Sequence, residues 1–246
     1  MVTKEAIIRQ LKETSVQIGE RMDVVCDQEI GDIAEELAIA YSQLLKIINE
    51  NKSKVSDNDF LAATTLWTAC NTILAGLDLF RRGYSIEHLM LLRNSLEIMA
   101  SAYVIHVDNK KYIVMRDTPD KFDSTGSIAE AKKVVPLIGP MYGMLSGHFT
   151  HVSAFHVIPH KSDTPFCIGG IYDPKNQSCN PLILSMFITV SEFVNSFIET
   201  MFTDHVDKMR FWKSTGGGLL QYSPIQEVRD RQESLMKKIG DSLKSL

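Results

Sequence analysis

Apolar residues recur at three- and four-residue steps along most of the chain, the period of a helix with one buried face. The cleanest case spans 33–50, where Ile33, Leu37, Ala40/Tyr41, Leu44/Leu45 and Ile48 form one stripe. Before it, 3–26 carries a looser stripe of Ile7/Ile8, Leu11, Val16, Ile18 and Val24/Val25. Gly31-Asp32 reads as the break between the two, with Asp32-x-x-Glu35 as a capping arrangement. A third helix over 59–82, capped by Asp57 or Asn58, turns Trp67, Cys70, Ile73/Leu74 and Leu77 inward. Arg81-Arg82 suit the negative end of its dipole, and Gly83 suits the left-handed stop. A fourth helix over 85–107, with Ser85 as cap, follows so closely that the two should pack antiparallel.

The pattern then weakens. Residues 108–127 predict a short helix and an exposed loop, 128–135 a helical turn, and 142–150 a helix carrying Gly143 and Gly147. From 151 to 180 it becomes β-prone and broken by proline and glycine, which predicts an irregular or hairpin-bearing insertion near 152–179. Asn180-Pro181 is a strong helix start, and that helix is expected to reach about 212. Gly216-Gly217-Gly218 reads as a hinge, and Ser223-Pro224-x-Gln226 as a capping box opening a helix over 223–243. The expectation is an all-α single domain over 1–246, a bundle of six or seven helices with its core at 30–213. The sparsely apolar last helix is placed at the periphery or at a subunit interface.

Composition narrows the function classes. Hydrophobic residues make up 44% and charged residues 23%, an ordinary globular balance. A net charge of -4 speaks against a general nucleic-acid binder, although a local basic groove would still serve one. The amino terminus lacks the apolar run of a secretory signal. The most apolar stretch, 181–203, is interrupted by Glu192, Asn195 and Glu199, each of which would need a partner, so it reads as a bundle helix rather than a membrane span. Cys26, Cys70, Cys167 and Cys179 form no CxxC pair, which suits reduced thiols and a cytoplasmic location.

Candidate chemistry centres on Arg93 and Glu97, four residues apart on one face of an otherwise apolar helix. Buried charges must be paired, so the pair is either a structural tie between helices or a site for a polar or anionic ligand. Asn94 stands beside them. His148, His151 and His156 are weak metal candidates, because no HExxH spacing is present and Pro159 prevents a continuous helical array; no metal or cofactor is expected. Ser146 lacks the GxSxG context of a nucleophile and is counted with the ligand-binding hydroxyls.

Arg93-Asn-Ser-Leu-Glu97, followed by Tyr142-x-x-Leu145-Ser146 and a histidine, resembles a family of uncharacterised, mostly bacterial helical proteins, over roughly Trp67 to His156. The resemblance implies one interhelical polar cluster of Arg93, Glu97, Tyr142 and His151, with His148 the alternative to His151. A wider resemblance is to HEPN-type helical bundles, some of them metal-independent ribonucleases of toxin–antitoxin and phage-defence systems. These carry a histidine four to six residues after the arginine, where this chain has Glu97, Ile98 and Met99.

Three functions follow as expectations. The first is a helical-bundle protein binding a small polar or anionic ligand through Arg93, Asn94, Glu97, Tyr142, Ser146 and His151. The second is a HEPN-like ribonuclease using Arg93 and His151 as catalytic groups. The third is a non-enzymatic homodimeric interaction protein.

Overall fold

In the computed structural model, which describes residues 3–50, 56–84, 86–147, 180–217 and 219–244, the chain opens as one kinked helical run. α1 (Lys4–Arg9), a π-helical turn (Gln10–Thr14) and α2 (Ser15–Val25) lead into α3 (Asp27–Glu50). The kink falls at Cys26, with φ -118° and ψ 23°, and it carries the Cys26 side chain into the core. The break is therefore not at Gly31-Asp32. Gly31 lies inside α3, where a helical glycine costs propensity but breaks no hydrogen bond, and Asp32-x-x-Glu35 caps nothing.

α4 (Asp57–Arg81) is capped by Ser56, whose Oγ accepts from the Asp59 amide at 3.2 Å, rather than by Asp57 or Asn58. It ends as the sequence predicts. Gly83 takes φ 79°, its amide donates to the Phe80 carbonyl at 2.9 Å, and the Tyr84 amide donates to Leu79 at 3.1 Å. α5 (Glu87–Val107) returns along α4, and this pair makes the most extensive interhelical contact among the described elements. Gly76 permits that approach: a side chain there would meet the His88 carbonyl at 3.3 Å and Phe187 at 3.3 Å. α6 (Asn109–Asp117), a 3-10 turn (Pro119–Lys121), α7 (Ser124–Ala131) and α8 (Ile138–Leu145) then wrap one side of α5. The short helix expected after residue 108 is α6, capped by Asp108, and the expected loop gives way early to α7, capped by Asp123.

α9 (Asn180–Met201) is the most enclosed helix, buried at every residue from Met186 to Glu199. It packs against α3, α4 and α5. By length and composition alone, α4 and α9 would each suffice to cross a membrane. α9 stops about a dozen residues short of the expected 212, because Glu199 draws the chain back: its Oε1 accepts the Arg210 amide and its Oε2 the Phe211 amide, each at 2.8 Å. An antiparallel pair follows, β1 (Trp212–Ser214) and β2 (Leu220–Tyr222), joining Trp212 to Tyr222 and Ser214 to Leu220. Gly216 and Gly217 take φ 96° and 62° in its turn, so the expected hinge is a hairpin. The insertion expected near 152–179 lies outside the described residues.

α10 (Gln226–Lys244) begins three residues after Ser223. The Ser223 and Ile225 amides donate to the carbonyls of Phe211 and Arg210, which extends the hairpin in place of the expected capping box. Val228, Leu235 and Ile239 of α10 are buried within the chain, so this helix, expected at the periphery or at a subunit interface, packs against α9. Among the described residues the outcome is an all-α bundle with one small hairpin.

Candidate functional site

Arg93 and Glu97 lie on the side of α5 that faces α7 and α8, and with Thr125, Tyr142 and Ser146 they form a cluster of five side chains. Arg93 Nη2 donates to Glu97 Oε1 at 3.0 Å and to the Tyr142 hydroxyl at 2.8 Å. Its Nε donates to Ser146 Oγ at 3.0 Å, and its guanidinium lies 5.0 Å from the centre of the Tyr142 ring. Tyr142 donates onward to Glu97 Oε1 at 2.8 Å, and Thr125 of α7 donates to the same oxygen at 3.2 Å. One carboxylate oxygen thus collects three donors from three helices.

Among the described residues the other oxygen, Oε2, receives a single long hydrogen bond, from Arg93 Nη1 at 3.4 Å. The pair is mostly enclosed, with side chains 22% and 12% exposed. Beside Glu97 runs a cleft of roughly 270 Å³ between α4, α5 and the α6–α7 segment. Its described lining is polar at Thr65, Asn94, Glu97, Ser101 and Ser124 and apolar at Ile98, Met115, Pro119 and Phe122. Asn94, Glu97, Ile98 and Ser101 share one stripe of α5, at three- and four-residue steps. Arg93 does not line this cleft.

The resemblance implied a cluster of Arg93, Glu97, Tyr142 and His151, with Ser146 counted among the ligand-binding hydroxyls, and the fold brings Arg93, Glu97, Tyr142 and Ser146 together. Asn94 is exposed and faces the cleft instead of the cluster. His148, His151 and His156 lie outside the described residues. Among the described residues no group of three His, Cys, Asp or Glu side chains is arranged to hold a metal. Thr125, Thr65, Ser101 and Ser124 were missed. Ser101 left a readable signal, seven residues after Asn94 on the same face; Thr125 left none, because it lies in a stretch expected to be loop.

A second polar network ties α9 to the rest of the chain. Arg210 grips Glu36 of α3 through both Nη atoms, at 2.9 and 2.6 Å, and Asn195 Nδ2 donates to the same carboxylate at 2.9 Å. Glu192 receives Arg231 Nε at 2.7 Å and Gln232 Nε2 at 3.2 Å. Burial pushes the Glu192 carboxyl up to about 7, against the pull of Arg231 and Gln232. Burial also raises Glu199, although two backbone amides bind its carboxylate. His88 is buried between Phe80 and Phe187, its Nδ1 2.6 Å from the Tyr84 carbonyl and its Nε2 without a partner. Burial lowers its pKa to about 4, so it is neutral at pH 7. The thiols of Cys26 and Cys70 are both raised by burial, Cys70 to about 12, which makes them poor nucleophiles.

Comparison with family models, with curated proteins and with solved structures finds no match.

Proposed function

We propose that this chain is a small-ligand-binding helical bundle, with the cleft beside Glu97 as its site and the Arg93–Tyr142–Thr125–Ser146 cluster as the frame that aims the carboxylate. The observation that carries this reading is the asymmetry of Glu97. Three donors fix Oε1, while among the described residues Oε2 receives one long hydrogen bond, and Glu97 lines a cleft that also offers hydroxyl, amide and apolar side chains. Small-molecule sites combine an apolar enclosure with a few oriented polar groups in this way. Arg93 enters as a positioning residue, since its Nε and Nη2 are already engaged by Ser146, Glu97 and Tyr142. A ribonuclease of the HEPN type would instead need Arg93 turned toward a scissile phosphate, and no observation favours that.

The test is a thermal-shift screen of the full chain against small cations, anions and neutral amides, repeated on Ser124→Trp. Ser124 stands at the rim, and an indole there should close the cleft without disturbing the core. The expected result is at least one compound that raises Tm in a saturable way in the wild type and not in the variant. A screen without saturable shifts, or shifts that survive Ser124→Trp, overturns the reading.

A further inference from the structure

We infer that the ligand of this cleft is a cation carried on a flat apolar body, an amidinium, guanidinium or protonated amine joined to a ring or short hydrocarbon; this rests on the small-ligand reading above. Among the described lining residues the one charged group is Glu97. An anion would meet that carboxylate with no cation among those described residues to offset it, and like charges at contact cost more in a partly dry cleft than in water. A donor-bearing cation meets the Glu97 carboxylate, where a charge-assisted hydrogen bond is about twice as strong as a neutral one. The positive charge of Arg93 does not cancel this attraction. It sits behind Glu97, outside the lining, so the ligand meets the carboxylate first and Coulomb energy falls with distance.

The remaining walls set the shape. Ile98, Met115 and Phe122 offer apolar surface to a planar group, Met115 with a deformable thioether. The Asn94 side chain at the rim can accept a second N–H, which suits a forked donor such as an amidinium better than a single point charge. A volume of roughly 270 Å³ accommodates one ring and its cationic group rather than a nucleotide or a peptide segment. The sequence alone suggested a polar or anionic ligand because Arg93 is the conspicuous residue in the motif, but its Nε and Nη2 are engaged by Ser146, Glu97 and Tyr142.

Three ring compounds of one shape separate the possibilities: benzamidine, benzoate and benzamide, titrated into the full chain at pH 7 by calorimetry. Benzamidine is expected to bind, with Kd weakened at least tenfold in Glu97→Gln and in Phe122→Ala, and tightened in Asn94→Asp, which adds a second carboxylate at an exposed position. Benzoate and benzamide are expected to bind far more weakly. Benzoate binding in place of benzamidine, sensitive to Ser124→Trp, would overturn the cation assignment and leave the cleft as the ligand site. Absence of benzamidine binding, or binding indifferent to Phe122→Ala and Asn94→Asp, would overturn it outright. Those two variants leave the Arg93 cluster intact, so the result stands even where Glu97→Gln folds poorly.

Discussion

Glu192 and Arg231 lie 39 residues apart, yet Arg231 Nε reaches Glu192 Oε1 at 2.7 Å and the Glu192 side chain is fully enclosed. This pair locks α10 onto α9, and its two halves are unequal. Removing Arg231 strands a carboxylate in the core, whereas the 26%-exposed Arg231 can turn to water when Glu192 is neutralised. Arg231→Ala should therefore cost about 3 kcal/mol or more in urea unfolding, and Glu192→Gln clearly less. Equal costs would mean that the pair contributes by attraction alone.

The same carboxyl makes stability depend on pH. Its pKa rises from 4.5 unfolded to about 7 folded, so the native state binds the proton more tightly. Its contribution is complete below pH 4.5 and is lost as pH climbs through 7. Glu36 and Arg210 on one side, Glu199 on another, and Arg231 with Gln232 on α10 are the charged and polar neighbours within this network. Glu192→Gln should gain Tm relative to wild type as pH rises from 5 to 8. A constant difference across that range would contradict the assignment.

His88 acts in the opposite direction. Its pKa falls from 6.5 to about 4 on folding, so its contribution is present above pH 6.5 and lost as pH drops through 4. His88→Gln should lose Tm at neutral pH, because it disturbs packing with Phe80 and Phe187, yet show a flatter decline between pH 6.5 and 4. Unfolding scans of both proteins at half-unit pH steps would reveal whether the slope changes.

Two glycines should respond with opposite sign to alanine. Gly143 in α8 has nothing within 4 Å of the added methyl, so Gly143→Ala should stabilise by about 0.5–1 kcal/mol through helix propensity. At Gly76 the methyl would press on the His88 carbonyl, which is fixed in α5, and on Phe187. Gly76→Ala should destabilise by about 1–3 kcal/mol despite the same propensity gain. Chemical denaturation of the two variants side by side would expose a common sign, which would refute the packing argument.

The Arg93 cluster should behave as a braced but wet ion pair. Arg93→Ala ought to cost about 2 kcal/mol, below the 3–5 kcal/mol of a fully enclosed pair, because both side chains still reach solvent. A double-mutant cycle of Tyr142→Phe with Thr125→Val should show coupling, since both hydroxyls share Glu97 Oε1. Strictly additive losses would place the two hydroxyls on separate acceptors.

Periodicity determined the helices of this protein, and local chemistry determined some of their ends. The stripe from Ile33 to Ile48 and the stop at Gly83 were readable because they depend on residues three or four apart. The same locality made Arg93 and Glu97 legible as a pair, and Glu192, Asn195 and Glu199 as groups in need of partners. Who those partners are was decided only in three dimensions. Asn195 meets Glu36 from 159 residues away, Glu199 bends the backbone at Arg210, and Thr125 reaches Glu97 from a stretch with no helical signature of its own. The direction of the Arg93 donors was decided there too. Whether a guanidinium faces a cleft or a neighbouring helix depends on how α5, α7 and α8 pack, and no spacing along one chain encodes that.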